Sequence, residues 1–233
     1  MNSPSTIIAI DGPSASGKST VSKRVADVLG YLHADTGSMY RAFTWKVLEA
    51  KMDPSDSSAV IALMERIRYE CDFIETSGGP RQLRNRLDGV DPGQAIRTPL
   101  VEKYVSTLAA IPQVRDWLVQ KQRKLADLGD LVIEGRDIGT VVFPETPFKF
   151  YLDADPKIRA RRRAVDQNSL GVKTEVKTVG QAIAERDQKD RSRSVAPLKV
   201  AADAIWIDTS EHDVETTADI VLKHIRSKHL ASS

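Results

Sequence analysis

The stretch IIAIDGPSASGKSTVSKRVA, residues 7–26, sets four apolar residues directly before a run of glycines and serines that closes on a lysine. This order of residue types predicts a buried strand, a tight loop and the first turns of a helix. Gly12, Gly17, Lys18 and Ser19 satisfy GxxxxGK[ST], the P-loop, in the setting that motif requires. A chance match in a chain of this length arises on the order of one time in a hundred, before the flanking strand and helix are counted. In such a loop successive backbone N–H groups curl around the β-phosphate, and glycines allow the close approach. Lys18 reaches the β- and γ-phosphates, and the Ser19 hydroxyl ligates Mg²⁺. Gly12, Pro13, Ser14, Ala15, Ser16, Gly17, Lys18, Ser19 and Thr20 are therefore the expected binding loop for a nucleoside triphosphate, taken as ATP.

The rest of the chain is ordinary in bulk. Its 233 residues are 41% hydrophobic and 28% charged, enough for one domain with a sizeable core. Thirty-four basic residues against 32 acidic ones leave a formal charge of +2, so no chain-wide field points to nucleic acid or to an anionic membrane. Any basic function must be local. The single cysteine, Cys71, has no partner for a disulfide or a Cys-based zinc site. A reducing, cytoplasmic setting follows as the expectation, since no apolar run is long enough for a signal peptide or a membrane span.

Short β-branched or aromatic runs at 6–10, 131–135, 148–154 and 204–209 read as buried parallel strands, with a further strand before residue 33. Candidate helices cover Lys18 to Leu29, Ser38 to Ala50, Pro99 to Leu128, Pro156 to Val165 and Val214 to Ser227. This alternation predicts a doubly wound α/β parallel sheet with ligands at the carboxyl ends of the strands. Residues 69–97, with turns at TSGGP and DG, read as a small antiparallel meander inserted into that pattern. Residues 166–180 are polar, carry two glycines and read as a mobile loop.

A P-loop alone does not choose between a kinase, a switch and a motor. In HADTGSMYRAF, Asp35 and Thr36 can cap a helix whose start takes a second phosphate, with Arg41 as its clamp. An ordinary capped helix with an exposed arginine remains open. EGRDIGTVVFP places Arg136 and Asp137 at the carboxyl end of a strand beside the P-loop, as functional groups or as a stapled turn. DPKIRARRR and ERDQKDRSR flank the polar loop with arginines. Solvated helix faces explain such runs, as does a lid that swings cations over a phosphoryl group in transit. Nucleic-acid binding is disfavoured because neither segment holds the aromatics that stacking needs.

Together, IDGPSASGKST, DTGSMYR, IRT, GRDIGTVVFP, FYLDA, ERDQKDRSR and APLKVAADA resemble the bacterial cytidylate kinases from about Ile7 to Leu222. The resemblance implies phosphorylation of CMP or dCMP by ATP with Mg²⁺, on a P-loop NTPase core of about 1–35, 116–155 and 195–233. It further implies a monophosphate-binding insert at about 36–115 and an arginine-rich lid at about 156–194. Arg41, Arg136 and Arg193 would grip the CMP phosphate, with Thr36 and Tyr40 of DTGSMYR beside them. Ser106, Arg115 and Asp137 would read cytosine, while Arg186 and Asp190 would contact the sugar. Lys18, Arg136 and the lid arginines Arg159, Arg162 and Arg163 would serve the transfer itself, and Ser19 with Asp35 the metal. A monomer acting on small molecules is expected, with no nucleic-acid or membrane partner. One departure stands out: the family usually has DGRD where this chain has EGRD, so Glu134 carries a longer arm. A kinase for another small acceptor and a slow nucleotide-binding switch remain the rival readings.

Overall fold

The computed structural model describes residues 5–169, 174–193 and 195–231, with side chains as far as 228. Seven strands form one sheet: β1 (Ile7–Asp11), β2 (Leu32–Asp35), β3 (Tyr69–Thr76), β4 (Gly79–Leu87), β5 (Leu131–Gly135), β6 (Phe148–Asp153) and β7 (Ile205–Asp208). Their order is β3-β4-β2-β5-β1-β6-β7, parallel throughout except for the β3–β4 hairpin. The inner strand β1 is buried at every position, through the apolar run Ile7–Ile10 and also at Asp11. One apolar core joins β1, β2 and β5 to the helices on one face, and a second packs the opposite face beneath the first and last helices.

Among the described residues eight α-helices surround the sheet: α1 (Lys18–Leu29), α2 (Thr36–Glu49), α3 (Ser57–Arg66), α4 (Pro99–Ala109), α5 (Pro112–Lys124), α6 (Pro156–Ser169), α7 (Val176–Ser192) and α8 (Val214–Ala231). The doubly wound parallel sheet is as expected, and four features correct the sequence reading. The long helix expected over Pro99 to Leu128 is two helices and a 3₁₀ turn at Leu125–Leu128. Pro112 separates them, because it lacks an N–H and forces Ile111 to extended angles (φ −72°, ψ 116°). Helix α3, not foreseen, is capped by the Asp56 side chain, which accepts from the Ala59 N–H. The meander at 69–97 is a hairpin followed by a 3₁₀ turn at Gly93–Arg97, and β4 joins β2 at His33, so the hairpin extends the main sheet. Finally, 166–169 and 176–180 are helical and not loop. The centre of that expected loop, residues 170–173, lies outside the described residues.

Candidate active site

The carboxyl ends of β1, β2 and β5 open into a cleft of about 630 Å³. Ten basic side chains and seven carboxylates line it, so the positive charge missing from the chain as a whole is concentrated here. Gly12 begins the loop, and a Cβ there would overlap the Leu152 carbonyl of β6. At the loop's tip Ala15 holds a left-handed φ of 59° and packs on the small apolar core between α6 and α7. Lys18 is buried and folds back to donate to the Pro13 carbonyl at 3.0 Å. Burial, reinforced by the positive charge of Arg136, pushes its pKa down to about 7. A second anion would therefore restore the cation fully.

Ser19 donates its hydroxyl proton to Glu134 Oε2 at 2.7 Å, which leaves its lone pairs for a hard cation. Asp35 caps α2 by accepting from the Ser38 N–H at 3.2 Å and takes the Arg41 guanidinium at 2.6 Å. Burial opposes the charge on Asp35, yet Arg41 outweighs it and holds the carboxyl below its usual range. A Cβ at Gly37 would lie 2.9 Å from Asp35 Oδ1 and 3.0 Å from an Arg41 nitrogen, so a larger residue there would push on this ion pair.

Across the cleft Arg115, from α5, donates to Asp137 Oδ2 at 2.9 Å and to the Tyr40 hydroxyl at 3.1 Å. Both members of the Arg115–Asp137 pair are buried. Arg193 approaches the other Asp137 oxygen at 3.8 Å, and Arg136 donates to Asp190 at 2.9 Å. Thr36 donates to the Glu134 carbonyl, while Ser106 lines the wall beside Arg115. Four nitrogens of these cleft-lining arginines, Nε of Arg41, Arg115 and Arg186 and Nη2 of Arg193, are buried with no hydrogen-bond acceptor among the described residues. Such donors are costly unless an acceptor reaches them.

The family model for cytidylate kinase matches residues 8–227. The chain belongs to the cytidylate kinase family. It is 42% identical over 219 residues to the cytidylate kinase of Limosilactobacillus fermentum, covering 94% of each chain. It is also 42% identical over 227 residues to a bifunctional pantoate ligase/cytidylate kinase of Synechococcus elongatus, covering 97% of this chain and 43% of that one. The chain thus spans less than half the length of the bifunctional relatives it matches. Among solved structures, an uncharacterized protein from Eubacterium ventriosum shares the fold at a TM-score of 0.51 and 14% identity, covering 95% of this chain and 99% of that one.

For a cytidylate kinase fold, the expected site residues are brought together with one clear exception. Arg162 and Arg163 line the cleft, Arg162 donating to the Thr209 hydroxyl at 2.9 Å and Arg163 meeting Glu102 at 3.1 Å. Arg159, expected among the lid arginines that serve transfer, is buried behind the P-loop instead. It donates to the Ser14 carbonyl and to Asp187, whose other oxygen accepts from the Ser14 N–H. Arg159 therefore shapes the loop from behind and does not line the cleft. Gly12, Pro13 and Ser16, also expected in the binding loop, do not line the cleft either. Sequence reasoning also missed three acids. Asp187 braces the P-loop, Asp11 accepts from the Ile138 and Gly139 N–H groups at 2.8 Å each, and Glu102 takes Arg163 and Arg186 on one oxygen. Nothing in their local sequence marks them, because each partner lies far along the chain. Among the described residues no helix is long and apolar enough to cross a membrane.

Proposed function

We propose that this protein transfers the γ-phosphoryl group of ATP to CMP or dCMP, giving ADP and the corresponding diphosphate. The observation that carries the reading is the set of four guanidinium nitrogens, on Arg41, Arg115, Arg186 and Arg193, buried beside the P-loop with no acceptor among the described residues. A nucleoside monophosphate brings what they lack: phosphate oxygens for Arg41, Arg136 and Arg193, sugar hydroxyls for Arg186 and Asp190, and a base edge for Asp137 and Arg115. Cytosine presents an amino donor at N4 where uracil presents an acceptor, so a carboxylate facing that position accepts from CMP and repels UMP. Thr36, Tyr40 and Ser106 complete the wall.

The chemistry asks for alignment and charge neutralisation more than for covalent help. The acceptor phosphate oxygen is already nucleophilic, so no general base is required. The loop Gly12 to Thr20 cradles the triphosphate with the backbone N–H groups that follow Pro13 and Ser14, and Lys18 follows the migrating phosphoryl. Arg162 and Arg163 neutralise charge from the lid side, while Arg136 holds the acceptor. The Ser19 hydroxyl, with its proton on Glu134, and the Asp35 carboxylate offer oxygen donors suited to Mg²⁺, with Asp35 acting through water because Arg41 and Ser38 already use part of its capacity. Among the described residues no cluster of three His, Cys, Asp or Glu could hold a metal ion. When bound, Mg²⁺ supplies charge stabilisation on the β- and γ-oxygens. We further propose a cytoplasmic monomer without nucleic-acid or membrane partners. A coupled assay of ADP release against CMP, dCMP, UMP, AMP and GMP tests the reading. CMP and dCMP are expected to lead, and a purine or UMP preferred over both would overturn it.

A further inference from the structure

Behind the P-loop lies a polar group that the transfer reaction does not account for. Ser22, His33 and Glu134 are 0%, 2% and 1% exposed, yet their polar atoms converge inside the apolar packing of α1, β2 and β5. The His33 Nε2 lies 3.0 Å from Ser22 Oγ and 3.3 Å from Glu134 Oε1, and Ser22 Oγ is 3.3 Å from that same carboxylate oxygen. Glu134 Oε2 accepts from Ser19.

Donor accounting orders this group. A lone pair on Nε2 would face a carboxylate oxygen, so the network assigns the proton to Nε2. His33 then donates toward Ser22 and Glu134 Oε1, and Ser22 has its own single proton for Glu134 Oε1 or for the Ser19 carbonyl at 3.2 Å. Both carboxylate oxygens thus have donors, one from behind and one from the loop. The arrangement bears on the longer arm that EGRD gives this chain. A glutamate has one more rotatable bond than an aspartate, so its head needs a second anchor to be held at one place. His33, on the neighbouring strand β2, supplies it.

We propose that His33 and Ser22 are positioning residues for Glu134 and, through it, for the Ser19 hydroxyl. By holding Oε1 from behind they aim Oε2 at Ser19, which commits the Ser19 proton to Glu134 and turns the hydroxyl lone pairs toward a divalent cation. The inference rests on the reading of Ser19 as a cation ligand. His33 touches neither nucleotide, and its removal acts only on the metal-dependent part of triphosphate binding.

Calorimetric titration of ATP, once with MgCl₂ and once with EDTA, separates that part from the rest. In His33→Leu the gain in ATP affinity that Mg²⁺ confers is expected to shrink about tenfold, as for other outer-shell partners of a metal ligand. ATP affinity in EDTA and CMP affinity should stay within about twofold of the parent. His33→Gln, whose amide nitrogen reaches the Nε2 position, should recover most of the loss. Ser22→Ala, a change small enough for any tolerant core, should show the same selective loss to a lesser degree and decides the matter if His33→Leu does not fold. An unchanged Mg²⁺ effect in folded His33→Leu, or in Ser22→Ala when that variant decides, overturns the proposal. So does a His33→Gln variant as impaired as His33→Leu. Ser19→Ala distinguishes the two levels: if its Mg²⁺ effect equals that of the parent, the cation-ligand reading fails and takes the positioning role with it.

Discussion

The P-loop and the arginine-rich pair α6–α7, proposed as a lid, both line the cleft, and they are built in opposite ways. The loop presents backbone N–H groups whose directions follow from its own conformation, anchored by the Gly12 approach to Leu152 and by α1. Helices α6 and α7 present long side chains already engaged in ion pairs: Arg163 and Arg186 share Glu102, and Asp190 of α7 takes Arg136 from the end of β5. A rigid cradle loses little entropy when a ligand arrives, whereas the lid must exchange one set of ion pairs for another. Binding strength is therefore a property of the loop, and response to the substrate is a property of the lid.

Five variants break or sharpen that contrast. Lys18→Ala strikes the cradle's one long side chain. Turnover should fall by about a thousandfold or more through lost charge stabilisation, with thermal stability held or raised, because a desolvated cation is removed. Steady-state kinetics beside a melting curve checks both halves. Arg159→Ala tests whether a lid-helix arginine can belong to the loop. Breaking its buried pair with Asp187 should cost about 3 kcal/mol of stability in denaturant titration and weaken ATP more than CMP. Arg162→Ala, by contrast, should lower turnover at nearly unchanged stability.

Asp137→Asn alters the acceptor pocket without removing its shape. The CMP to UMP ratio of kcat/KM should shrink about tenfold, since one well-placed base contact is worth about 1–3 kcal/mol. Equal losses on both substrates would reassign Asp137 to phosphate or structure. The smallest effect is expected from Glu102→Gln. Its carboxyl is half-buried, a desolvation cost outweighed by Arg186, Arg163 and Arg41, which keep it ionised below its usual range. A neutral amide should free the lid arginines, lowering KM for CMP about threefold and speeding hydrogen exchange in α6 and α7 of the unliganded protein. Slower exchange, or a raised KM, would show that Glu102 organises the lid for substrate and does not compete with it.

Much of this was legible before folding, for a reason of range. The P-loop, the Asp35 cap and the strands at 7–11, 131–135 and 148–153 depend on backbone preferences and hydrogen bonds that act within a few residues, so contiguous sequence carries their geometry. Pro112 was legible in the same local way and was passed over, although it divides a helix as proline must. The site's charge pairs were not legible. Arg159 and Arg163 stand one turn apart on α6 and share a face by helical geometry. Only packing decides that the first meets Ser14 and Asp187 behind the loop while the second meets Glu102 at the cleft. Likewise, EGRD announces a longer side chain at 134 but not the histidine that steadies it, because β2 and β5 become neighbours only in the sheet. Sequence by itself determined the cradle, whose parts are consecutive. Tertiary structure alone decided which cations face the substrate, because Coulomb pairing and desolvation depend on distances between segments that folding brings together.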